Sequence, residues 1–273
     1  MKAKKVLFIN QEITPYVPES ELSLLGRKVP QLVEGKGYEI RTFMPKWGTI
    51  NERRGQLHEV QRLSRMMLII NETDHPLIIK VASIPQTRIQ VYFIDNDDYF
   101  SKRQMEIDEL GEEYNDNGER AVFFARGVLE TVAKKLRWAP DIIHCQGWMG
   151  GVIPFYIKTA YREEPSFANT KVITSLFSKE LTSDFGDDFK KCVEYREATP
   201  ELLEKYNERF DYTELAKMAI DYSDGIICAG NEVNPELLKY AEEKNVPVMP
   251  YMEEATGDDY SNFYDLVYGD DNE

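Results

Sequence analysis

One short segment of the chain concentrates side chains that could do chemistry. The stretch DIIHCQGWMGG (residues 141–151) begins as an apolar run and ends as a glycine-rich loop, with His144, Gln146 and Trp148 at the junction. Ligands of open parallel sheets bind beyond the carboxyl ends of the strands. We therefore predict that these three side chains stack on and hydrogen-bond a small ligand. The structural alternative is a buried, hydrogen-bonded histidine beneath a packed tryptophan.

The segment YNDNGER (residues 114–120) supports two interpretations that can hold together. In the first, Asp116 caps a long helix and Glu119, three residues later, completes a capping box. In the second, Asp116 and Asn117 present polar groups to a cleft and bind sugar hydroxyls. The sequence favours neither interpretation over the other.

Several familiar chemistries find no motif in the sequence. The first apolar run leads into NQEITPYVPESE, which has no glycine, so neither a dinucleotide fingerprint nor a P-loop is available there. Cys145 should point to the opposite face of its strand from His144, so we interpret it as a small core residue and not as a nucleophile. Because the three histidines are scattered, we expect no metal site and no cofactor.

Composition limits the class of protein and the class of partner. The 273 residues include 42% hydrophobic and 30% charged residues, which is typical of a globular protein. A net charge of −15 repels phosphate backbones and anionic lipids, so we expect no nucleic-acid partner and no membrane association. The three cysteines are widely spaced, which favours reduced thiols and a cytoplasmic location.

The first half of the chain predicts a parallel sheet with an antiparallel excursion. KKVLFIN, LLGRKVPQLVEGKG and YEIRTFMP predict a strand, a helix and a second strand, which is the pattern of a parallel βαβ unit. Residues 56–85 contain β-rich pieces with no room for crossover helices, which indicates antiparallel strands. RIQVYFID then returns to the sheet, and apolar positions at spacings of three or four predict a helix over residues 117–137.

The second half predicts three more buried strands. PDIIHC, KVITSLF and DGIICAG are short apolar runs separated by helical segments, as buried parallel strands require. NPELLKYAEEKN predicts the last helix. We therefore predict a Rossmann-like α/β fold, a parallel sheet with helices on both faces. One domain covers residues 1–250 with a helical excursion at about 179–217, and an acidic tail at 251–273 either packs through its tyrosines or is mobile.

The order of these segments resembles a known family. KVLFINQEITPY, YEIRTFMPKWG, VYFIDNDDYF, YNDNGERAVFFARG, PDIIHCQGWMGGVIPFYIK and AIDYSDGIICAG follow one another as similar segments do in the N-terminal domain of bacterial glycogen and plant starch synthases. The resemblance covers about residues 4–234. It implies one half of a GT-B glycosyltransferase, in which a second Rossmann-like domain holds most of the ADP- or UDP-glucose and supplies the groups needed for glucose transfer.

The resemblance breaks down at polar positions that face the family's cleft. Where the family has Lys-x-Gly-Gly-Leu, this chain has PESEL (residues 18–22), so the lysine and both glycines are absent and the segment contains Pro18 and two acids instead. The family's Asp-Trp-His is Gly147-Trp148-Met149 here, and a methionine cannot donate the hydrogen bonds of a histidine. The family's Ile-His-Asn corresponds to Ser175-Leu176-Phe177. We therefore predict no catalytic residue in this chain.

Three hypotheses about function follow. The first is a synthase-like domain of α-glucan metabolism that cannot transfer glucose alone and acts by binding glucan or a partner protein. The second is a glucosyltransferase completed by a separate donor-binding chain or by a second copy of this one. The third is a pure protein-interaction domain that uses the acidic tail. The residues predicted to line a glucan surface are Glu12, Tyr16, Asp116, Asn117, His144, Gln146 and Trp148.

Overall fold

The computed structural model describes residues 4–269, and a single mixed sheet organises them. The strand order is β10-β9-β8-β7-β1-β2-β6-β5-β3, and β4 pairs with β5 beside this path. All pairs from β10 to β6 are parallel, whereas β5 pairs antiparallel with β6, β3 and β4. The strands are β1 (Lys5–Asn10), β2 (Glu39–Pro45), β3 (His58–Glu59), β4 (Met66–Ile70), β5 (Thr73–Ser83), β6 (Gln90–Asp95), β7 (Ile142–Gln146), β8 (Lys171–Leu176), β9 (Gly225–Cys228) and β10 (Val248–Met249).

Helices cover both faces of this sheet. Helix α3 packs on the face that carries Leu7 and Ile143, whereas α1 and α9 pack on the face that carries Phe8 and Ile142. The predicted Rossmann-like architecture is therefore confirmed. The helices are α1 (Glu21–Glu34), α2 (Glu52–Gly55), α3 (Asn117–Thr131), α4 (Ile153–Lys158), α5 (Phe189–Val193), α6 (Pro200–Leu203), α7 (Tyr212–Asp221), α8 (Pro235–Glu243) and α9 (Gly257–Tyr268).

The strands are continuous apolar runs because they are buried on both faces. In β1 five of six residues are buried, and in β7 all five are. Successive side chains in these strands therefore enter opposite layers of the core. This alternation separates His144, which contacts α9, from Cys145, which lies in the opposite cluster, as predicted. Burial raises the pKa of the Cys145 thiol, consistent with a core role.

The antiparallel excursion is also present as predicted. Strands β4 and β5 form a hairpin whose two turn residues, Asn71 and Glu72, have φ values of 46° and 64°. The predicted long helix is α-helical only to Thr131, and a single π-helical turn (Val132–Leu136) continues it. Within residues 4–269, the helices lack the length and the apolar character needed to cross a bilayer.

The acidic segment after Pro250 packs on the domain. Thr256 caps α9, with Asp259 completing a capping box. The buried side of α9 includes Tyr260 and Tyr264, which join the cluster on the Phe8 face of the sheet. Of the two alternatives for the tail, packing through its tyrosines is the one observed as far as Tyr268. Residues 270–273 of the predicted tail lie outside the described residues.

Candidate functional site

A small apolar pocket lies beyond the carboxyl ends of β7 and β8, where the sequence predicted a ligand. Its volume is about 20 Å³, which is room for little more than one water molecule. The pocket is therefore too small for a hexose. Residues that line it include Leu22, Gly147, Trp148, Gly151, Thr174, Ser175, Leu176, Phe177, Tyr212 and Leu215.

Gly147 lines this pocket at a position that only glycine fits, because of its backbone conformation and its close neighbours. Its φ is 94°, a conformation that side chains with a Cβ rarely adopt. A Cβ on residue 147 would lie 2.7 Å from Oε1 of Gln11 and 3.0 Å from Cδ2 of Leu22. An aspartate, as the resembled family has here, would have to displace both neighbours. The backbone conformation of this loop therefore leaves no room for a carboxylate side chain at residue 147.

The two residues after Gly147 turn inward. Met149 is fully buried, so its thioether belongs to the core and not to the pocket wall. The Trp148 indole is 6% exposed and packs against Phe185, with ring centroids 5.9 Å apart. Its Nε1 has no hydrogen-bond partner among the described residues. Trp148 therefore lines the pocket, but Phe185 already covers part of its ring.

His144 has the environment of the structural alternative. It is fully buried, Nδ1 lies 2.7 Å from the Tyr264 hydroxyl, and Nε2 lies 2.7 Å from Oγ of Ser175. Burial lowers the pKa of His144 to about 3, so the ring is neutral at physiological pH. Both ring nitrogens are occupied. Through Ser175, the histidine positions one wall of the small pocket.

Gln146 lies two residues further along β7 and is also buried. Only 1% of its surface is exposed, and neither amide atom has a partner among the described residues. Gln146 does not line the small pocket or the large cleft described below. The structure therefore does not bring His144, Gln146 and Trp148 together around one open site.

Glu12 lies beneath the amino terminus of α1. Its side chain is 3% exposed, and Oε2 accepts a hydrogen bond of 2.5 Å from the hydroxyl of Ser20, the residue that caps α1. Helix amino termini attract anions because of their free N–H groups and their dipole. Here the protein places a carboxylate of its own next to that end, with Glu19 and Glu21 flanking the cap. A phosphate would meet three negative charges.

Asp116 and Asn117 stabilise a loop and do not cap α3 in the predicted way. The Asp116 carboxylate accepts hydrogen bonds from both terminal nitrogens of Arg103, with 2.7 Å between Nη2 and Oδ1. Its side chain forms no capping hydrogen bond with the amino terminus of α3. Glu119 instead accepts a hydrogen bond from Tyr99. The predicted capping box is therefore wrong, because a charged guanidinium competes successfully with a neutral backbone N–H. Asn117 is buried and bonds the Glu106 carbonyl.

A second, much larger cleft lies beside α1. Its volume is about 1000 Å³, and it opens between three loops. Tyr16 is the one predicted site residue in its wall, and Pro18 lies there too. The Tyr16 hydroxyl donates to the Ser83 carbonyl at 2.8 Å, and burial raises its pKa to about 12. Residues of the cleft are Thr14, Pro15, Tyr16, Val17, Pro18, Glu19, Leu24, Arg27, Thr49, Asn51, Arg54, Gly55, Gln56, Ser83, Ile84, Pro85, Gln86 and Thr87.

Sequence reasoning missed most of this cleft. Its segments at 49–56, which include the short helix α2, and at 83–87 are polar and have no recognisable motif. Their common location depends on the antiparallel β5, which brings Ser83 to Tyr16 across 67 residues of sequence. Proline, glycine and asparagine in these segments indicate turns, but the sequence does not indicate which turns lie next to one another in the fold.

Comparisons with known proteins agree with the architecture. The family model described as starch synthase catalytic domain matches residues 5–246. A glycogen synthase of Chlorobium luteolum is 40% identical over 173 residues, which are 63% of this chain and 35% of that protein. A glycogen synthase of Chlorobaculum parvum is 33% identical over 222 residues, 81% of this chain and 44% of that protein.

A solved structure has the same fold. It is the catalytic domain of starch synthase IV from Arabidopsis thaliana, bound to ADP and acarbose. The match covers 92% of this chain and 52% of the starch synthase IV chain, with a TM-score of 0.71 and 15% sequence identity. The predicted half of a GT-B fold is therefore confirmed. The chain spans less than half the length of the glycogen synthases named above. Because the starch synthase family model matches residues 5–246, which is most of the chain, the chain belongs to the glycogen and starch synthase family.

Proposed function

We propose that this chain is a glycogen and starch synthase-like protein of α-glucan metabolism that binds glucan and does not transfer glucose by itself. The observation that carries the proposal is the closed pocket at Gly147. A transferred hexose has no room in about 20 Å³, and the side chain that could bind it is replaced by a hydrogen atom. The cytoplasmic location predicted from the cysteines is part of the same proposal.

The charges near α1 support the absence of nucleotide binding. A sugar nucleotide carries two phosphates, and a lysine and flexible glycines favour their approach. Here Glu12, Glu19 and Glu21 surround the amino terminus of α1, and the side chains of Ser20 and Ser23 each accept a hydrogen bond from the other's backbone N–H. The electrostatic preference of this helix end is thus met within the chain.

The open cleft supports glucan binding. Its wall combines hydroxyl and amide side chains with the rings of Pro15, Pro18 and Pro85, a mixture that suits the hydroxyls and apolar faces of sugars. The starch synthase IV domain that shares this fold was solved with acarbose bound. Tyr16 keeps its predicted role in this proposal. The other predicted residues do not line this cleft, and their roles in glucan binding stay predictions: Glu12, Asp116, Asn117, His144, Gln146 and Trp148. Of these, Trp148 lines the closed pocket and Asp116 lines a separate pocket near Phe185.

The test combines transfer and binding. The purified chain is incubated with labelled ADP-glucose or UDP-glucose and glycogen, and separately sedimented with glycogen. We expect no label in the polymer above a blank, together with co-sedimentation. Incorporation of label by the chain alone contradicts the inactive half of the proposal, and absence of co-sedimentation contradicts the glucan-binding half.

A second candidate is a transferase completed by another chain. It stays a prediction: the residues of this chain match 52% of the starch synthase IV catalytic domain, and the assay asks whether the remainder can act from a separate chain. Mixing the chain with candidate donor-binding domains and repeating the transfer assay tests it. Label incorporated only in the mixture supports this candidate.

The interaction-domain hypothesis also stays a prediction. Its test is partner capture with a variant that carries neutral residues on the exposed side of α9.

A further inference from the structure

Two arginines from different elements face the open cleft. Arg27 projects from α1 and Arg54 from the short helix α2. Arg27 donates from Nη2 to the Pro85 carbonyl at 2.9 Å, which leaves most of its guanidinium N–H groups unused. Within residues 4–269, neither guanidinium forms an ion pair with a carboxylate. Both positive charges are therefore available to a ligand.

The two arginines bring positive charge to one cleft of a chain whose net charge is −15. By contrast, Lys80 on β5 contacts both Glu52 and Asp95, at 2.7 and 2.8 Å. With 48 acidic and 33 basic residues in the chain, carboxylates are abundant. Keeping two guanidinium groups beside one cleft without such partners concentrates positive potential there.

The chemistry of these groups selects the ligand. Arginine presents N–H groups in a planar fork that matches phosphate oxygens. The remaining polar wall can bond hydroxyls. It consists of Thr14, Thr49, Asn51, Gln56, Ser83 and Thr87. A ligand that joins one phosphate to several hydroxyls satisfies both parts of the wall.

We propose that the open cleft binds a phosphorylated saccharide, with Arg27 and Arg54 contacting its phosphomonoester. The saccharide part of this inference rests on the proposed function, whereas the anionic part rests on the two arginines. Glu19 lines the same cleft but pairs with neither arginine. Its charge limits the total negative charge that the cleft accepts, which favours one phosphomonoester over a nucleotide diphosphate.

Calorimetric titration of the full chain tests the inference. The probes are maltotetraose, maltotetraose carrying one 6-phosphate, and inorganic phosphate, each at low and at moderate salt. We expect the phosphorylated saccharide to bind roughly tenfold more tightly than the neutral one, with the difference shrinking as salt rises. Arg54→Gln should remove most of the difference.

Arg53→Gln is the matched control. Arg53 is the neighbouring residue on α2 and does not line the cleft. Its replacement changes the net charge equally but should leave the preference for the phosphorylated probe unchanged. Arg27→Lys, which keeps the charge but not the fork, should weaken the preference partly.

The outcomes separate this inference from the proposed function. Equal binding of both saccharides overturns the inference and leaves glucan binding standing. Binding of the phosphorylated probe without binding of maltotetraose or glycogen supports the inference and contradicts the glucan-binding function. Inorganic phosphate binding as tightly as the phosphorylated saccharide overturns the saccharide part. If no probe binds, both fail.

Discussion

Two pockets border α1, and they differ in size and in chemistry. The closed pocket takes Leu22 from this helix and has a volume of about 20 Å³. The open cleft takes Leu24 and Arg27 and has a volume of about 1000 Å³. The side chains of the protein fill the first, whereas the second is open and its wall includes two arginines that form no ion pair with a carboxylate within residues 4–269. A domain with this fold can therefore hold a closed pocket and an accessible cleft next to the same helix.

The closed state has a physical origin in tight packing. Gly147 brings the loop within contact of Gln11 and Leu22, and Trp148 lies on Phe185. His144 bonds Ser175, which lines the same pocket from the other side. Reopening the pocket therefore requires several neighbouring changes. The open cleft is formed by loops, whose exposed side chains can change at little cost in stability.

The largest effect should come from restoring a side chain at Gly147. Gly147→Ala combines backbone strain of about 1–3 kcal/mol with overpacking of about 1–3 kcal/mol. Gly37→Ala is the matched control, because its φ is 88° but a Cβ on residue 37 would have no atom within 4 Å. Urea unfolding should show a clearly larger loss for Gly147→Ala. Equal losses would mean that the pocket is not tightly closed, and Gly147→Asp should lose at least as much as the alanine.

The next effect is a pH dependence that His144 imposes. Its pKa of about 3 in the folded chain lies below the value of about 6.5 in the unfolded chain. The unfolded chain therefore binds the proton first, so stability is full above pH 6.5 and falls as the pH drops towards 3. The loss should reach about 2 kcal/mol at pH 5, from about 1.4 kcal/mol per pH unit.

His144→Gln isolates this dependence, since the carboxylates and the other histidines are common to both proteins. Unfolding free energies at pH 7.5 and pH 5 should differ by about 2 kcal/mol more in the parent than in the variant. Equal slopes would indicate that His144 is accessible to protons in the folded chain, and hence that this wall of the closed pocket opens.

A smaller effect should follow from Tyr264→Phe. This change removes the hydroxyl that lies 2.7 Å from Nδ1 of His144 but keeps the ring on the sheet. We expect a loss of about 1 kcal/mol in the free energy of unfolding. The matched control is Tyr260→Phe, whose ring joins the same cluster. Identical losses in both variants would argue against a specific bond between α9 and His144.

The smallest effect should be found in the open cleft. Arg54→Gln should change the free energy of unfolding by less than about 0.5 kcal/mol, because the Arg54 side chain is exposed. Thermal melting alongside Gly147→Ala checks this difference directly. A large loss for Arg54→Gln would show that the open cleft is structural, and the comparison between the two pockets would fail.

The sequence predicted the fold better than the site, for identifiable reasons. Apolar runs such as PDIIHC and DGIICAG reveal buried strands because burial on both faces leaves a continuous pattern. The antiparallel hairpin was equally visible, since its strands leave no room for crossover helices. The resemblance alone predicted that Gly147 and Met149 stand where the family has polar residues.

The site residues could not be predicted as well, because their roles depend on contacts between residues that are distant in the sequence. His144 is polar and sits near the end of a strand, but its face of the sheet is covered by Tyr264, which follows it by 120 residues. The sequence around Asp116 has the pattern of a helix cap, but in the structure its carboxylate pairs with Arg103 instead. The open cleft depends on which loops meet, and only the strand order of the sheet determines that.

The central claim is that carbohydrate binds the open cleft and is excluded from the closed pocket. Hydrogen–deuterium exchange of the full chain with and without maltoheptaose tests it most directly. We predict slower exchange in residues 14–19, 49–56 and 83–87, and no change in 147–151 and 174–179. Protection confined to residues 147–151 and 174–179 would contradict the claim.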